Sequence, residues 1–218
     1  MSFSTQQLQL LFASTNKGKL AEVRQVASGA GITILSTEEV SALGKRAVPD
    51  VQENADTYSG NAKLKAEAFY AWSGLPSLAD DAGIEVEALG GAPGVWSARY
   101  AGEPSDGKRN IEKMLAEMEG QSNRAARFTS FLFARVTPTK TLTAQCYLPG
   151  RISVAPHGSA GFGYDSIFIP QGYEKTLAEI KEDAALRSSF KTHRIMALEK
   201  IFPELSRALT DDALRTGR

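Results

Sequence analysis

The chain has 218 residues, 42% of them hydrophobic and 23% charged, which suits a globular protein with a substantial core in one domain. Its 25 Lys and Arg balance 25 Asp and Glu, so net charge gives no general reason to expect nucleic acid or a membrane as partner. One cysteine, Cys146, excludes an intrachain disulfide, and no apolar run approaches the ~20 residues of a membrane span; with no leader pattern at the start, the expectation is a cytoplasmic protein.

Leu8 to Ala13 is short and apolar and predicts a buried strand. After the break at Ser14-Thr15-Asn16-Lys17-Gly18-Lys19, Leu20, Val23 and Val26 recur at helical spacing, so a helix runs to about Ser28 and stops at Gly29 and Gly31. Ile32 to Leu35 predicts a second strand. A strand–loop–helix–strand opening belongs to α/β folds. Residues 41 to 56 are polar, contain Pro49, and read as loop. From Thr57 a helix puts Ala62, Ala66, Phe69 and Tyr70 on one face and ends at Gly74 and Pro76. A strand over Leu75 to Ala79 then delivers Asp80 and Asp81 to its C-terminal end, and Ile84 to Leu89 predicts another short strand.

Asp106 caps a helix through Met118. Three β segments follow, Ala126 to Val136, Thr141 to Leu148 and Arg151 to Ala155, with Pro138 and Pro149-Gly150 as turns between them. A last helix covers about Ser188 to Phe202. The sum is an α/β protein: a mixed β-sheet flanked by helices.

The chemistry concentrates in a few places. Asp80 and Asp81 are adjacent carboxylates that repel unless a cation sits between them, and hard oxygen donors suit Mg²⁺; a polar turn is the alternative. The loop Ser14 to Lys19 leads into a helix N-terminus, whose free N–H groups and positive end suit phosphate. Its glycine spacing is not that of a Walker A loop, and a solvated basic loop is the other reading of these residues. In Gly161-Phe162-Gly163-Tyr164-Asp165, the two aromatics can stack on a base and Asp165 can accept an N–H, or the segment is a hairpin loop capping the core. His193-Arg194 is a donor pair if it meets an anion or a carbonyl, and otherwise a surface pair. Trp96 fits either the core or a cleft, and Arg99 is a partner for either a phosphate or an acidic neighbour. Cys146 reads as a core filler and His157 as structural.

In order along the chain, Ala13 to Lys19, Asn61 to Ala66, Ala79-Asp80-Asp81-Ala82-Gly83, Gly90 to Gly102, Gly161 to Asp165 and His193-Arg194 resemble the inosine triphosphate pyrophosphatase family, the dITP/XTP pyrophosphatases. The resemblance runs from about Leu8 to Phe202. It implies an elongated α/β fold of two lobes with the substrate cleft between them, and a Mg²⁺-dependent homodimer. The implied reaction splits ITP, dITP and XTP into monophosphate and pyrophosphate, clearing deaminated purines from the precursor pool. By position, Asp81 corresponds to the proton acceptor and metal ligand, and Glu53 to a second metal ligand. Ser14, Thr15, Asn16, Lys17, Gly18 and Lys19 correspond to the phosphate loop, and Lys65 to a lysine facing the phosphates. Phe162, Gly163, Tyr164, Asp165, His193 and Arg194 correspond to the base-binding set.

Those roles make chemical sense. Water attacks the α-phosphorus, a carboxylate deprotonates it, and cations offset phosphoryl charge. A 6-keto purine offers N1–H to Asp165 and O6 to Arg194 or His193. Adenine reverses that pattern, a mismatch that such sites reject by about 10⁴-fold.

The chain departs from the family at Ala82, where many relatives carry Ser, and at Trp96, where Tyr is common. Relatives also carry a lysine in a Lys-x-x-x-Ser-His-Arg arrangement. Here Ser188 holds that position, in a segment longer than theirs. Arg187 is expected to supply the charge, with Lys181 as the other candidate. Two further readings stay open at this point: a nucleotide-binding module without catalysis, and a pyrophosphatase for other nucleotides.

Overall fold

The computed structural model describes residues 8–216. β1 (Leu8–Phe12), α1 (Lys17–Ser28) and β2 (Ile32–Leu35) form the opening expected from the sequence. β1 and β2 pair in parallel, Leu8 opposite Ile32 through Leu11 opposite Leu35, as a strand–helix–strand crossover requires. Part of the stretch read as loop is helical: α2 (Thr37–Gly44) starts at a reciprocal cap in which Ser36 Oγ accepts the Glu39 N–H and Glu39 accepts the Ser36 N–H. The Ser-x-x-Glu spacing that makes such a cap is present in the sequence.

α3 (Tyr58–Ser73) begins at Thr57, whose hydroxyl oxygen accepts the Gly60 N–H, and ends at Gly74 in the left-handed conformation. Ala62, Ala66 and Phe69 recur on its inner face and pack with Leu11, Ala13, Ala79 and Phe133. Two alanines at i and i+4 let the helix backbone approach the sheet closely. The neighbouring positions Asn61 and Lys65, also four apart, are carried inward with them.

β3 (Ser77–Val86) corrects two expectations at once. Asp80 and Asp81 lie in mid-strand rather than at its end, and no separate strand covers Ile84 to Leu89; Glu87–Leu89 is a single 3₁₀ turn. The strand continues because Gly83 is no breaker in a segment buried on both sides, and because Ser97 Oγ accepts the Ile84 N–H. The parallel register with β1 nevertheless stops at Phe12 opposite Leu78. Beyond it, β1 has turned away into the Ser14–Asn16 loop. The two aspartates therefore stand where their parallel neighbour ends, which is physically the strand end that places ligands in open α/β sheets.

α4 (Gly107–Glu117) is capped by Asp106 as expected. The next segments are two strands, not three: β4 (Ala125–Arg135) and β5 (Thr141–Ile152). Pro149-Gly150 lies inside β5. A Cβ on Gly150 would fall 2.3 Å from the Ile169 carbonyl oxygen of β6 (Phe168–Pro170), so the glycine serves a close strand approach, not a turn. β5 and β6 are antiparallel, with Gly150 opposite Pro170. α5 (Leu177–Glu182), α6 (Ala184–Ser189) and α7 (His193–Thr216) complete the chain; the last helix starts later and runs further than its apolar spacing indicated.

The six strands form one mixed sheet in the order β2-β1-β3-β4-β5-β6, flanked by helices. The chain divides into two compact units. Among the described residues, one holds those up to Asp81, Phe131–Gln145 and those from Arg194 on; the other holds Ala82–Ser130 and Cys146–His193. Cys146 is buried and unpaired, as a core filler should be. No helix among the described residues is long and apolar enough to cross a membrane.

Candidate active site

In the first unit, Asp81 and Glu53 converge on one lysine. Lys65 Nζ lies 2.6 Å from Glu53 Oε2 and 3.1 Å from Asp81 Oδ1, and donates to the Asp80 carbonyl at 3.0 Å. Asn61 joins them: its Nδ2 reaches Asp81 Oδ2 at 3.4 Å, and its Oδ1 accepts the Ala55 N–H at 2.9 Å. That second bond ties the loop carrying Glu53 to the start of α3.

Burial pushes the Asp81 carboxyl up to about 6, although Lys65 and Lys19 pull against it; Glu53 adds to the rise. Glu53 is partly buried, which works against its charge, yet its contact with Lys65 holds it below the ordinary carboxylate range. Lys65 is also desolvated, and Asp81 and Glu53 more than compensate and keep it charged. Two carboxylates around one cation titrate as a set, and here the more buried Asp81 is the easier to protonate. A buried carboxyl brought toward neutrality beside fixed charges is the environment of a general base.

Asp80 points into a separate network. It is fully buried and receives Lys19 Nζ at 2.9 Å and Arg194 Nε at 2.8 Å. Arg194 also pairs with Glu22. Burial works against the Arg194 charge, but Asp80 and Glu22 outweigh it and raise its pKa. For Lys19, burial wins over Asp80 and lowers the pKa. Arg194, expected as a donor to the base, is instead 2% exposed and committed to these two carboxylates.

The Ser14–Lys19 loop opens α1 as expected. Asn16 Oδ1 accepts the Lys19 N–H at 3.0 Å, and Ser14 Oγ accepts the Asn16 N–H. The first turn holds Lys17 and Lys19 and no acidic residue, so no carboxylate of that turn offsets the positive end of the helix. Thr15, Asn16 and Lys17 are exposed.

The remaining expected residues belong to the second unit. Phe162 is 39% exposed, whereas Tyr164 is buried and donates its hydroxyl to the Ser97 carbonyl at 2.8 Å. Tyr164 therefore anchors the loop to Gly94–Arg99 and offers no open face for stacking. Asp165 Oδ2 accepts the Phe162 N–H at 2.9 Å and Lys181 Nζ at 2.8 Å. His193 is buried and stacked on Phe128, the rings 4.9 Å apart and within 6° of parallel. Arg187 and Ser188 are exposed on α6, and Ser188 donates its hydroxyl to the Ala185 carbonyl. Ala82 is half-buried in β3. Trp96 is partly exposed, with the Arg99 guanidinium 4.5 Å over its ring.

Glu53 and Asp81 are hard oxygen donors sharing one cationic group, which fits a Mg²⁺ ion. No group of three or more His, Cys, Asp or Glu that could hold a metal gathers among the described residues. One or two carboxylates, with substrate phosphates and water as the other ligands, are the usual protein share of a Mg²⁺ site.

The model of the Ham1 family matches residues 10–204. The chain belongs to the Ham1 family. It is 40% identical over 178 residues to the dITP/XTP pyrophosphatase of Flavobacterium johnsoniae, covering 79% of this chain and 86% of that protein. It is 36% identical over 195 residues to the dITP/XTP pyrophosphatase of Bacillus subtilis, covering 88% and 94%. Among solved structures, a Ham1 protein from Coxiella burnetii superposes with a TM-score of 0.79 at 34% identity, covering 92% of this chain and 99% of that one.

Three partners in this Ham1 chain escaped sequence reasoning. Glu22 looks like any exposed helical carboxylate, and only the fold brings it to Arg194. Asn61 had a signal, being a polar residue on the apolar stripe of α3. Asp80 was seen as half of a pair, but alternation along a strand sends adjacent side chains to opposite faces. It separates Asp80, bound to Lys19 and Arg194, from Asp81, bound to Lys65 and Asn61.

Proposed function

We propose that the protein is a Mg²⁺-dependent nucleoside triphosphate pyrophosphatase acting on ITP, dITP and XTP, releasing monophosphate and pyrophosphate. The observation that carries the proposal is Asp81, a desolvated carboxyl near neutrality, held by Asn61 and Lys65 with Glu53 beside it. Membership of the Ham1 family and the printed names of its relatives support the same reading.

In this mechanism Asp81 orients a water and takes its proton as the water attacks the α-phosphorus. The bond to the β,γ-diphosphate breaks and pyrophosphate leaves. The open N-terminus of α1, with Lys17 and the Ser14–Gly18 backbone, holds phosphate oxygens. Lys65 keeps Asp81 oriented and adds positive charge. Glu53 and Asp81 would hold the Mg²⁺, which offsets charge on the phosphate oxygens. Most of the acceleration is positioning and electrostatics. Selection of the base is assigned to Phe162 and Asp165. A cytoplasmic homodimer completes the proposal, and light scattering of the purified protein tests the dimer.

The deciding experiment is a product assay with ITP, XTP, GTP and ATP, with Mg²⁺ and with chelator. Pyrophosphate from ITP and XTP, little from ATP, and none with chelator is the expected result. Orthophosphate with a nucleoside diphosphate would mean attack at the γ-phosphorus and would overturn the proposal.

A pH dependence follows from the same carboxyl. Asp81 accepts a proton only when ionised, so kcat/KM is expected to fall about tenfold per pH unit on the acid side. The limb should lie at or below about pH 6, where Asp81 titrates. A profile flat down to pH 4 would remove Asp81 as the base.

A further inference from the structure

We infer that Lys181 is a specificity-determining residue, pairing with Asp165 to read the adjacent N–H and C=O of a 6-oxopurine base. The inference rests on the pyrophosphatase reading above and deepens it. It also replaces the sequence expectation that Arg187 supplies the charge missing at Ser188.

Lys181 Nζ lies 2.8 Å from Asp165 Oδ2 and 5.3 Å from the centroid of the Phe162 ring. One ammonium thus contacts both the carboxylate and the exposed aromatic of the loop assigned to the base. Arg187 is on the next helix and exposed.

The position of Lys181 is built, not incidental. Thr176 opens α5 in a reciprocal cap with Glu179 and donates its hydroxyl to the His157 carbonyl. Asp183 closes α5, caps α6 through the Ala185 and Leu186 N–H groups, and accepts Lys175. Ile180, the preceding residue, is fully buried. With both ends of α5 fixed, the Cα–Cβ direction of Lys181 is set, and its stem reaches Asp165. The loop makes room for it: a Cβ on Gly161 (φ +88°) would fall 2.1 Å from Asp165 Oδ2 and 3.1 Å from Lys181 Cδ. Glycine is needed there for both space and backbone conformation.

The pair has the polarity that a 6-oxopurine demands. An ionised carboxylate only accepts, and an ammonium only donates through three N–H groups, so one bond to Asp165 does not exhaust it. Hypoxanthine and xanthine present N1–H beside O6, complementary to both. Adenine presents a bare N1 to the carboxylate and an amino group to the ammonium, so both contacts turn unfavourable. The Lys181 side chain is 21% exposed and that of Asp165 is 8% exposed, so the donor is the more accessible member.

The test is the ratio of kcat/KM for ITP to that for ATP, measured by pyrophosphate release. Lys181→Met is expected to lower ITP kcat/KM roughly 10- to 100-fold, the range of a charged hydrogen bond. The loss should fall mainly in KM, and ATP turnover should change little, so the ratio collapses. Lys181→Arg should restore much of the ratio, and Arg187→Met should leave it at the parent value. An unchanged ratio in Lys181→Met, or an equal loss for ITP and ATP, would mean that the pair only orders the loop and would overturn the inference. Parent protein that releases no pyrophosphate from ITP would overturn the function reading itself, and the inference with it.

Discussion

Asp81→Asn is expected to abolish most turnover while leaving the fold as stable as the parent or more so. The amide matches the carboxylate in shape, and its single oxygen can still accept from Lys65, which also keeps Glu53; its NH2 meets the Asn61 amide donor, so only that long 3.4 Å contact is lost. What the amide cannot do is accept a proton. General base catalysis contributes about 10²–10⁴-fold, and a loss in kcat of that order is the expected result. The stability half follows from the titration. The Asp81 pKa in the fold, about 6, lies above the ordinary 3.8, mainly because of burial. The native state therefore binds this proton more tightly than the unfolded chain. Its contribution to stability is complete below the unfolded value and is lost as pH rises through about 6. At pH 7 to 8 the fold carries an ionised group against its desolvation, and Asn removes that cost. Thermal unfolding at pH 7.5 in the presence of chelator should place the variant level with or above the parent. Full turnover in folded Asp81→Asn would sink the mechanism, and a large drop in melting temperature would mean that Asp81 supports the fold rather than being strained by it.

Much of this arrangement was legible in the sequence, and what escaped has physical reasons. The strand–helix–strand opening, the helix start at Thr57, the cap at Asp106 and the stop at Gly74 are local, because short-range hydrogen bonds and glycine conformation decide them. Pro149-Gly150 misled because turn residues and close-approach residues look alike until β6 is known to lie against β5. The strand reads as ending at Ala79 for a related reason: Asp80, Asp81 and Gly83 are ordinary turn residues, and what carries β3 past them includes a distant partner, Ser97, which accepts the Ile84 N–H. At the site, Asp81, Glu53 and Lys65 came from a resemblance and meet in space. Arg194 and Tyr164 belong to the base-binding set by the same resemblance, and Arg and Tyr side chains suit that task. Their commitment to Asp80, Glu22 and the Ser97 carbonyl depends on contacts between distant segments that no local pattern encodes. Lys181 was outweighed by Arg187 on sequence adjacency, whereas the break between α5 and α6 at Asp183 decides which cation reaches Asp165.

Asp80→Asn should do the reverse of its neighbour and unfold the protein more readily. Asp80 is fully buried, and both its cations are held inside: Arg194 is 2% exposed, and the Lys19 side chain is 16% exposed. Removing the carboxylate charge takes the shared partner from two buried cations, while Glu22 stays paired with Arg194. Breaking one member of a buried ion network costs about 3–5 kcal/mol, because the stranded charge keeps its desolvation without its attraction. For a chain of this size that is roughly 6–20 °C in melting temperature. Lys19, already pulled down by burial, loses the interaction that most opposes that pull and deprotonates more easily. A second substitution separates this account from a local packing fault. Arg194→Met removes the stranded guanidinium, so the double variant Asp80→Asn with Arg194→Met should be less destabilised than the sum of the singles. Urea unfolding of the four proteins at one pH and salt concentration measures the coupling. If the two losses add, Asp80 and Arg194 do not depend on each other, and Glu22 is the partner that keeps the guanidinium in the core.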